Sequence, residues 1–327
     1  MTASQQNTHD YPSANHKCDG VNSIHNCLYT EAAQELRTVR DLLRWSLSQF
    51  QRHQLIFGHG SDNAWDEAIY LILHGLHLPL DQLEPFLDAR LTFSERQQVI
   101  QLIRRRCEER LPAAYITGEA WLQGFRFKVS PDCIIPRSPI AELLSTQLSP
   151  WVEDPFAIRS VLDVCTGSGC LAILAAYAFP EAHVDGVDIS PAALAIAKEN
   201  IEDHGLTERV CALQSDLYEA VANKSYDIII SNPPYVNEQS MQQLPAEYQH
   251  EPRLALAGGE DGMDLVRTIV KQAALHLNDG GVLILEIGHE YDHFCAAFPD
   301  LAPIWLSTAT ADDQILLLDK TQLLSLL

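Results

Sequence analysis

The sequence predicts an α/β protein: a doubly wound, mostly parallel sheet preceded by a small helical domain and a connecting β-hairpin. Three observations carry this expectation. From Val161 onward, short β-branched runs alternate with helix-length segments, the pattern of a parallel sheet covered by helices on both faces. The first of these runs is followed at once by Thr166-Gly167-Ser168-Gly169 and an apolar helix. Before Pro112, by contrast, apolar residues recur at helical spacing.

At 327 residues the chain exceeds one typical core, which favours a catalytic domain plus a smaller partner. Met1 to about Asn26 is polar, with almost no large apolar residues, and residues 1–30 read as a mobile tail. From Glu31 the spacing turns helical. Leu36, Val39, Leu43 and Leu47 share one face, then Trp65, Ala68, Ile72 and Leu76 another, with Pro79 expected to end the second helix. Ser94 and Gln97 form a capping box for a third helix, whose stripe runs through Ile100, Ile103, Cys107 and Leu111. Residues 31–112 thus form a helical domain, a candidate for substrate recognition. Arg104-Arg105-Arg106 reads as a solvated helix face paired with Glu108 and Glu109 rather than as a nucleic-acid patch.

Beyond Pro112, Phe125, Phe127 and Val129 alternate with Arg126 and Lys128 behind Gly124, which predicts a hairpin. Pro131, Pro136, Pro139 and Pro150 mark an irregular surface connection, so residues 113–159 are hairpin and linker. Arg137, within it, is a candidate substrate contact or a simple loop charge. The second domain, residues 160–327, places strands at 161–165, 184–189, 210–214, 228–231 and 282–287. Helices lie between them, and residues 304–307 and 314–318 form a late antiparallel edge pair.

Composition narrows the function. Apolar content of 46% and charged content of 20% fit a globular protein, no apolar run approaches a bilayer span, and the first twenty residues lack a secretory pattern, so a cytoplasmic location is expected. Eight cysteines without a C-x-x-C pair predict reduced, mostly buried thiols, and thirteen scattered histidines without H-E-x-x-H give a metal site no support. A formal charge of −22 argues against free duplex DNA as a partner, and direct nucleic-acid recognition is not expected.

Two stretches carry chemistry. Gly167 and Gly169 let the backbone turn sharply between a strand and a helix whose N-terminal N–H groups are free for a ligand. Asp188 ends the next strand, about twenty residues on, where a carboxylate accepts from ribose hydroxyls. Asp216 and Leu217 follow the third strand, suited to an adenine amino group and an adenine face. Gly167-Ser168-Gly169-Cys170-Leu171-Ala172 also satisfies the dinucleotide fingerprint G-x-G-x-x-A. Asp163, just ahead of it, would repel a pyrophosphate and attract a cationic amino group, which favours S-adenosylmethionine over NAD. The second stretch is Ile228-Ile229-Ile230-Ser231-Asn232-Pro233-Pro234-Tyr235, a buried strand ending in a rigid loop at the edge where open α/β sheets bind ligands. Asn232 offers an amide that donates and accepts, the prolines leave their carbonyls free, and Tyr235 offers a flat aromatic face, a set that suits a planar group with an amino nitrogen. Read alone, the same residues make an ordinary turn.

With Asp163-Val164-Cys165-Thr166-Gly167-Ser168-Gly169 and Asn232-Pro233-Pro234-Tyr235 together, residues 31–327 resemble the class I methyltransferases of the protein-glutamine methylating (HemK-like) family. Arg110, Pro112, Tyr115, Gly118, Gly124, Phe125, Phe127, Pro136 and Arg137 are similar to the segment joining the two domains in that family. Residues 136–143 and 247–252 resemble the branch that methylates ribosomal large-subunit protein three. The release-factor branch follows Pro-Arg with Pro-Asp-Thr-Glu, and Cys165 and Leu217 also depart from it. The resemblance implies a class I fold and methyl transfer from S-adenosylmethionine to the side-chain amide nitrogen of a glutamine. Asn232, Pro233, Pro234 and Tyr235 would hold the amide, and Asp163, Cys165, Thr166, Gly167, Ser168, Gly169, Asp188, Asp216, Leu217 and Asn232 the cofactor. Release-factor methylation, methylation of an adenine amino group in nucleic acid, and a catalytically silent ribosome-assembly factor are the competing readings.

Overall fold

The computed structural model describes residues 21–326, so the expected tail over residues 1–20 lies outside the described part. The helix Val21–Glu35 crosses the boundary drawn at residue 30, and Leu36 falls beyond its end. It packs with the helices Val39–Arg52, Ala64–Gly75 and Phe93–Arg104 around Leu42, Phe50, Leu71, Ile72, Val99 and Ile103.

Three local expectations change. The helix Ala64–Gly75 ends before Pro79 is reached, and Trp65 on it is exposed rather than in the core. The capping box of Phe93–Arg104 is Thr92 with Glu95: Glu95 N donates to Thr92 Oγ1 at 3.3 Å and Thr92 N to Glu95 Oε2 at 2.7 Å. Ser94 and Gln97 fit the same spacing, but a carboxylate is the stronger acceptor for the cap N–H. The arginine run is only partly a solvated face. Arg104 pairs with Glu108 at 2.8 Å and Arg105 with Glu109 at 3.5 Å, as expected. A π-turn over Arg105–Glu109 rotates Arg106 inward, where its guanidinium donates to Glu67 Oε1 at 2.6 Å and to the Ile56 carbonyl at 2.7 Å.

The hairpin is present as β1 (Glu119–Leu122) and β2 (Phe125–Lys128), with Phe127 fully buried. The linker around it is less irregular than its prolines suggest, since it contains the helices Ala113–Thr117 and Ile140–Ser145.

The main sheet comprises β3 (Ser160–Val164), β4 (His183–Asp188), β5 (Val210–Gln214), β6 (Tyr226–Ser231), β7 (Leu277–Glu286), β8 (Ile304–Leu306) and β9 (Ile315–Asp319). Their order is β5-β4-β3-β6-β7-β9-β8, parallel except at β8 and β9. The two late strands form the expected antiparallel pair at this edge of the sheet. β9 inserts beside β7, and only β8 takes the edge. The reason is legible in β9 itself, whose run Ile315-Leu316-Leu317-Leu318 is buried throughout and so must be covered on both faces. One face of the sheet packs on the helix Cys170–Ala178 through Ile173 and on Phe179 just past its end, the other on Asp264–Ala273 and Tyr291–Ala297 through Ile269 and Phe294.

From β3 the chain moves outward through β4 and β5, then returns to the other side of β3 with β6 and β7. The crevice at such a reversal is where open α/β sheets bind ligands. Val164 and Ser231 are register partners there, and Ser231 Oγ donates to the Val164 carbonyl at 2.8 Å, fastening the two strand ends together. Everything that follows hangs on these two ends.

Cys107, Cys133 and Cys170 are buried, whereas Cys27, Cys211 and Cys295 are exposed, so burial of the thiols is less general than expected. Cys211 lies on the edge strand β5, which has one uncovered side. Among the described residues, no helix is long and apolar enough to cross a membrane, and no group of three or more His, Cys, Asp or Glu side chains is placed to hold a metal ion.

Candidate active site

The turn after β3 is built by backbone geometry. Cys165, Gly167 and Gly169 all have positive φ, of 63°, 55° and 80°. Glycine is required at 169 for a second reason, because a Cβ there would stand 3.1 Å from the Ala197 Cβ and 3.3 Å from its Cα. Asn200, on the helix Pro191–Asp203, bolts this turn to the hairpin: its amide donates to the Ser168 carbonyl at 2.9 Å and the Lys128 carbonyl at 3.1 Å, and accepts from Lys128 N at 2.7 Å.

Asp163 sits behind the turn rather than in the cleft. Its Oδ2 accepts from Thr166 Oγ1 at 2.5 Å and from Ala172 N at 3.0 Å, and the side chain is fully buried. Burial pushes its carboxyl up to about 7 even though both bonds favour the ionised form. Asp163 thus shapes the loop through Oδ2, while its buried Oδ1 has no hydrogen-bond partner among the described residues and stays open to the expected amino group. Thr166, Ser168 and Gly169 likewise build the turn and do not border the cleft.

The cleft is a cavity of about 150 Å³, open to solvent, over the carboxyl ends of β3, β4, β5 and β6. Cys165, Gly167, Asp188, Asp216, Leu217 and Asn232, all singled out from the sequence, border it. Asp188 is half engaged: Oδ2 accepts from Gly167 N and Oδ1 from Ser190 N, each at 2.9 Å. Each carboxylate oxygen keeps a lone pair for a ligand hydroxyl. Burial raises the Asp188 pKa, and the backbone donors oppose that rise. Leu217, at φ 47°, joins Ile189, Leu254 and Leu265 as apolar wall, of which only Leu217 was expected. Among the described residues, Asp132, Asp188 and Asp216 are the charged residues on the lining, with no Lys or Arg.

Asn232 and Pro234 complete the far rim, with Asn232 half-buried. Pro233 is buried and Tyr235 half-buried, and both stand just outside the cleft lining. The loop is held from below, since the Tyr235 hydroxyl donates to Glu286 Oε1 at 2.8 Å. The sequence had offered Tyr235 only as a free aromatic face.

With the glycine turn and the Asn-Pro-Pro-Tyr loop on two faces of one cleft, the comparisons with known proteins agree. The methyltransferase small domain (MTS) family matches residues 141–248. The ribosomal protein uL3 glutamine methyltransferase of Bordetella pertussis is 61% identical over 89% of this chain and 97% of its own length. Those of Burkholderia pseudomallei and Neisseria gonorrhoeae are 54% and 50% identical, over 90% and 91% of this chain and 98% and 99% of theirs. The chain belongs to this methyltransferase family.

In this methyltransferase the segment after the loop, Glu247-Tyr248-Gln249-His250-Glu251-Pro252, is tied to the N-terminal helical region and to the linker around Arg137. Glu247 is buried and accepts from Arg110 Nη1 at 2.8 Å and from Ile56 N at 3.0 Å, with Arg106 Nη1 3.5 Å away. Glu251 accepts both guanidinium nitrogens of Arg137, at 2.6 and 2.8 Å, and Ile135 N at 3.0 Å, with His59 Nε2 at 3.5 Å. Burial would raise the Glu251 carboxyl, but the nearby His59 ring and the Arg137 guanidinium outweigh it and hold it at about 2. Burial lowers the pKa of His59 itself, against the pull of Glu251. Arg137 is thus an interior clamp, with its guanidinium 5.5 Å from the centre of the Tyr248 ring, and does not border the cofactor cleft. The carboxylates four apart at 247 and 251 were the available signal for these ties. Their partners at 59, 106 and 110 lie too far away in sequence to be read.

Proposed function

We propose that this chain transfers a methyl group from S-adenosylmethionine to the side-chain amide nitrogen of a glutamine in ribosomal protein uL3. The observation that carries this reading is a cleft bordered, among the described residues, by three aspartates and no basic side chain, with Asn232 on its rim. A dinucleotide pyrophosphate would be repelled by charged side chains that are all acidic, so this lining favours a cationic sulfonium ligand bearing an amino group. Asp188 would accept from the ribose hydroxyls, Asp216 from the adenine amino group, and Leu217, Ile189 and Leu254 would cover the base. Identity of 50–61% over about nine-tenths of this chain and nearly the whole of the named relatives supports the substrate.

S-adenosylmethionine supplies an electrophilic methyl on its sulfur. The glutamine amide nitrogen is a poor nucleophile, because its lone pair is delocalised into the carbonyl. Asn232 Oδ1 and the Pro233 carbonyl would accept from the amide N–H groups, fixing its plane and raising electron density on nitrogen. Tyr235 would pack against its flank. The nitrogen lone pair forms the new N–C bond, the S–C bond breaks towards sulfur, and the nitrogen then sheds one proton to solvent. No strong base is needed, since an N-protonated amide is very acidic. Orientation in a preorganised site supplies most of the rate, a contribution worth about 7 kcal/mol or more in favourable cases.

The test is transfer of labelled methyl to purified uL3, to release factors and to nucleic acid in parallel, with the modified residue located by mass spectrometry. Label on a uL3 glutamine is expected. Label on nucleic acid instead would replace this reading with that of an amino-methyltransferase.

A further inference from the structure

Glu286 has no part in the mechanism above, yet it is buried directly beneath the catalytic loop. It ends β7, next to the end of β6 that launches Asn232 to Tyr235. Both of its oxygens are engaged by hydroxyls: Oε1 accepts from Tyr235 at 2.8 Å and Oε2 from Ser138 at 2.5 Å. Burying a carboxylate is costly unless donors satisfy it, so two short bonds to neutral hydroxyls at this position call for an explanation. A second feature points the same way. Gly288, two residues on, lies so close under Tyr235 that a Cβ there would come within 2.4 Å of ring atom Cε2. The phenol ring is therefore pressed on backbone along one face and tied at its hydroxyl.

The tie extends into the linker. Ser138, which holds the second oxygen of Glu286, follows Arg137, which holds Glu251. Two consecutive linker residues thus anchor the beginning and the end of the segment that runs from Tyr235 to Glu251.

We propose that Glu286 is a positioning residue for Tyr235, steadied by Ser138, and that it fixes the phenol ring as the wall against which the substrate amide is aligned. This rests on the methyl-transfer reading. A carboxylate that merely stabilised the sheet edge would change stability and cofactor affinity without acting through Tyr235. Glu286 borders no part of the cofactor cleft, so a positioning role leaves cofactor binding alone.

The experiment measures methyl transfer to uL3 by the full chain and, separately, S-adenosylmethionine affinity by calorimetry. Glu286→Ala is expected to lower kcat by about tenfold or more while the cofactor Kd stays within about twofold. Glu286→Gln is expected to recover most of that loss, since its amide oxygen can accept from Tyr235 and its NH2 can donate to the Ser138 oxygen. Combined with Tyr235→Ala, Glu286→Ala should add no further loss, because the two act as one unit. Losses that multiply in the double variant, or an unchanged kcat in Glu286→Ala, would overturn the proposal. Should Glu286→Ala fail to fold, Tyr235→Phe decides the matter: it deletes only the hydroxyl, a severalfold drop in kcat supports the tie, and full activity refutes it. A wild-type chain inactive on uL3 would fail the parent reading, whereas an active wild type with unaffected variants would fail only this inference.

Discussion

The two loops that face each other across the cleft are made in opposite ways. The turn after β3 is shaped by its own backbone: positive φ at Cys165, Gly167 and Gly169, with Asp163 fastening it through Thr166 and Ala172, all within ten residues. The loop after β6 is shaped by remote side chains, with Tyr235 tied to Glu286, Glu286 to Ser138, and the onward segment to Arg137, His59 and Arg110. A loop of the first kind depends mainly on its own residues, with Asn200 and Asp188 as neighbouring supports. One of the second kind takes its geometry from contacts with distant parts of the chain. The cofactor side should therefore tolerate damage to those contacts, and the acceptor side should not.

Substitutions can break this contrast in order of expected effect. Asn232→Ala should lower kcat by about 10²–10³-fold, the usual loss for a preorganised hydrogen-bonding group, while S-adenosylmethionine affinity changes little. An equal fall in affinity would move Asn232 from the acceptor side to the cofactor side. Next comes Arg137→Ala, which removes the bidentate partner of a buried carboxylate. About 2–3 kcal/mol of stability should be lost, below the usual range for breaking a buried pair because Ile135 N and His59 remain and a quarter of the Arg137 side chain is exposed. Denaturant unfolding checks this. The same pair sets an acid limit. Glu251 is held at about 2, below its ordinary value, so its stabilisation is complete above the ordinary carboxylate range and lost as pH falls towards 2. In Arg137→Ala, acid unfolding should begin at higher pH, and an unshifted acid transition would mean that the Arg137–Glu251 pair does not hold the segment.

Smaller effects are expected on the cofactor side. Gly169→Ala forces a Cβ against Ala197 at positive φ and should cost about 1–3 kcal/mol of stability together with a weaker cofactor complex. Asp188→Ala should weaken S-adenosylmethionine binding by about tenfold, the cost of one lost charge-assisted hydrogen bond, with kcat at saturating cofactor nearly intact. Calorimetry reads this directly, and unaltered affinity would mean that the ribose lies elsewhere.

The same contrast explains what could be read from the residues alone. Gly167, Gly169, Asp188, Asp216, Leu217 and Asn232 were legible because turn chemistry and strand ends are local, and the alternation from Val161 onward fixed the sheet. Glu286 could have been flagged, since an acidic residue ending the apolar strand Val282-Leu283-Ile284-Leu285 stands at the ligand-binding edge. Arg106 could not. Its neighbours Arg104 and Arg105 are solvated as expected, and only the π-turn and a partner 39 residues away, Glu67, draw it into the interior. The insertion of β9 beside β7 was written in its unbroken apolar run, which the shorter and partly exposed β8 lacks.

The most direct measurement is labelled-methyl transfer from S-adenosylmethionine to purified uL3, release factors and nucleic acid, by the wild type and by Asn232→Ala. Label confined to one glutamine of uL3, and lost in the variant that still binds cofactor, is the expected result. Label on release factors or nucleic acid, or undiminished transfer by Asn232→Ala, would contradict it.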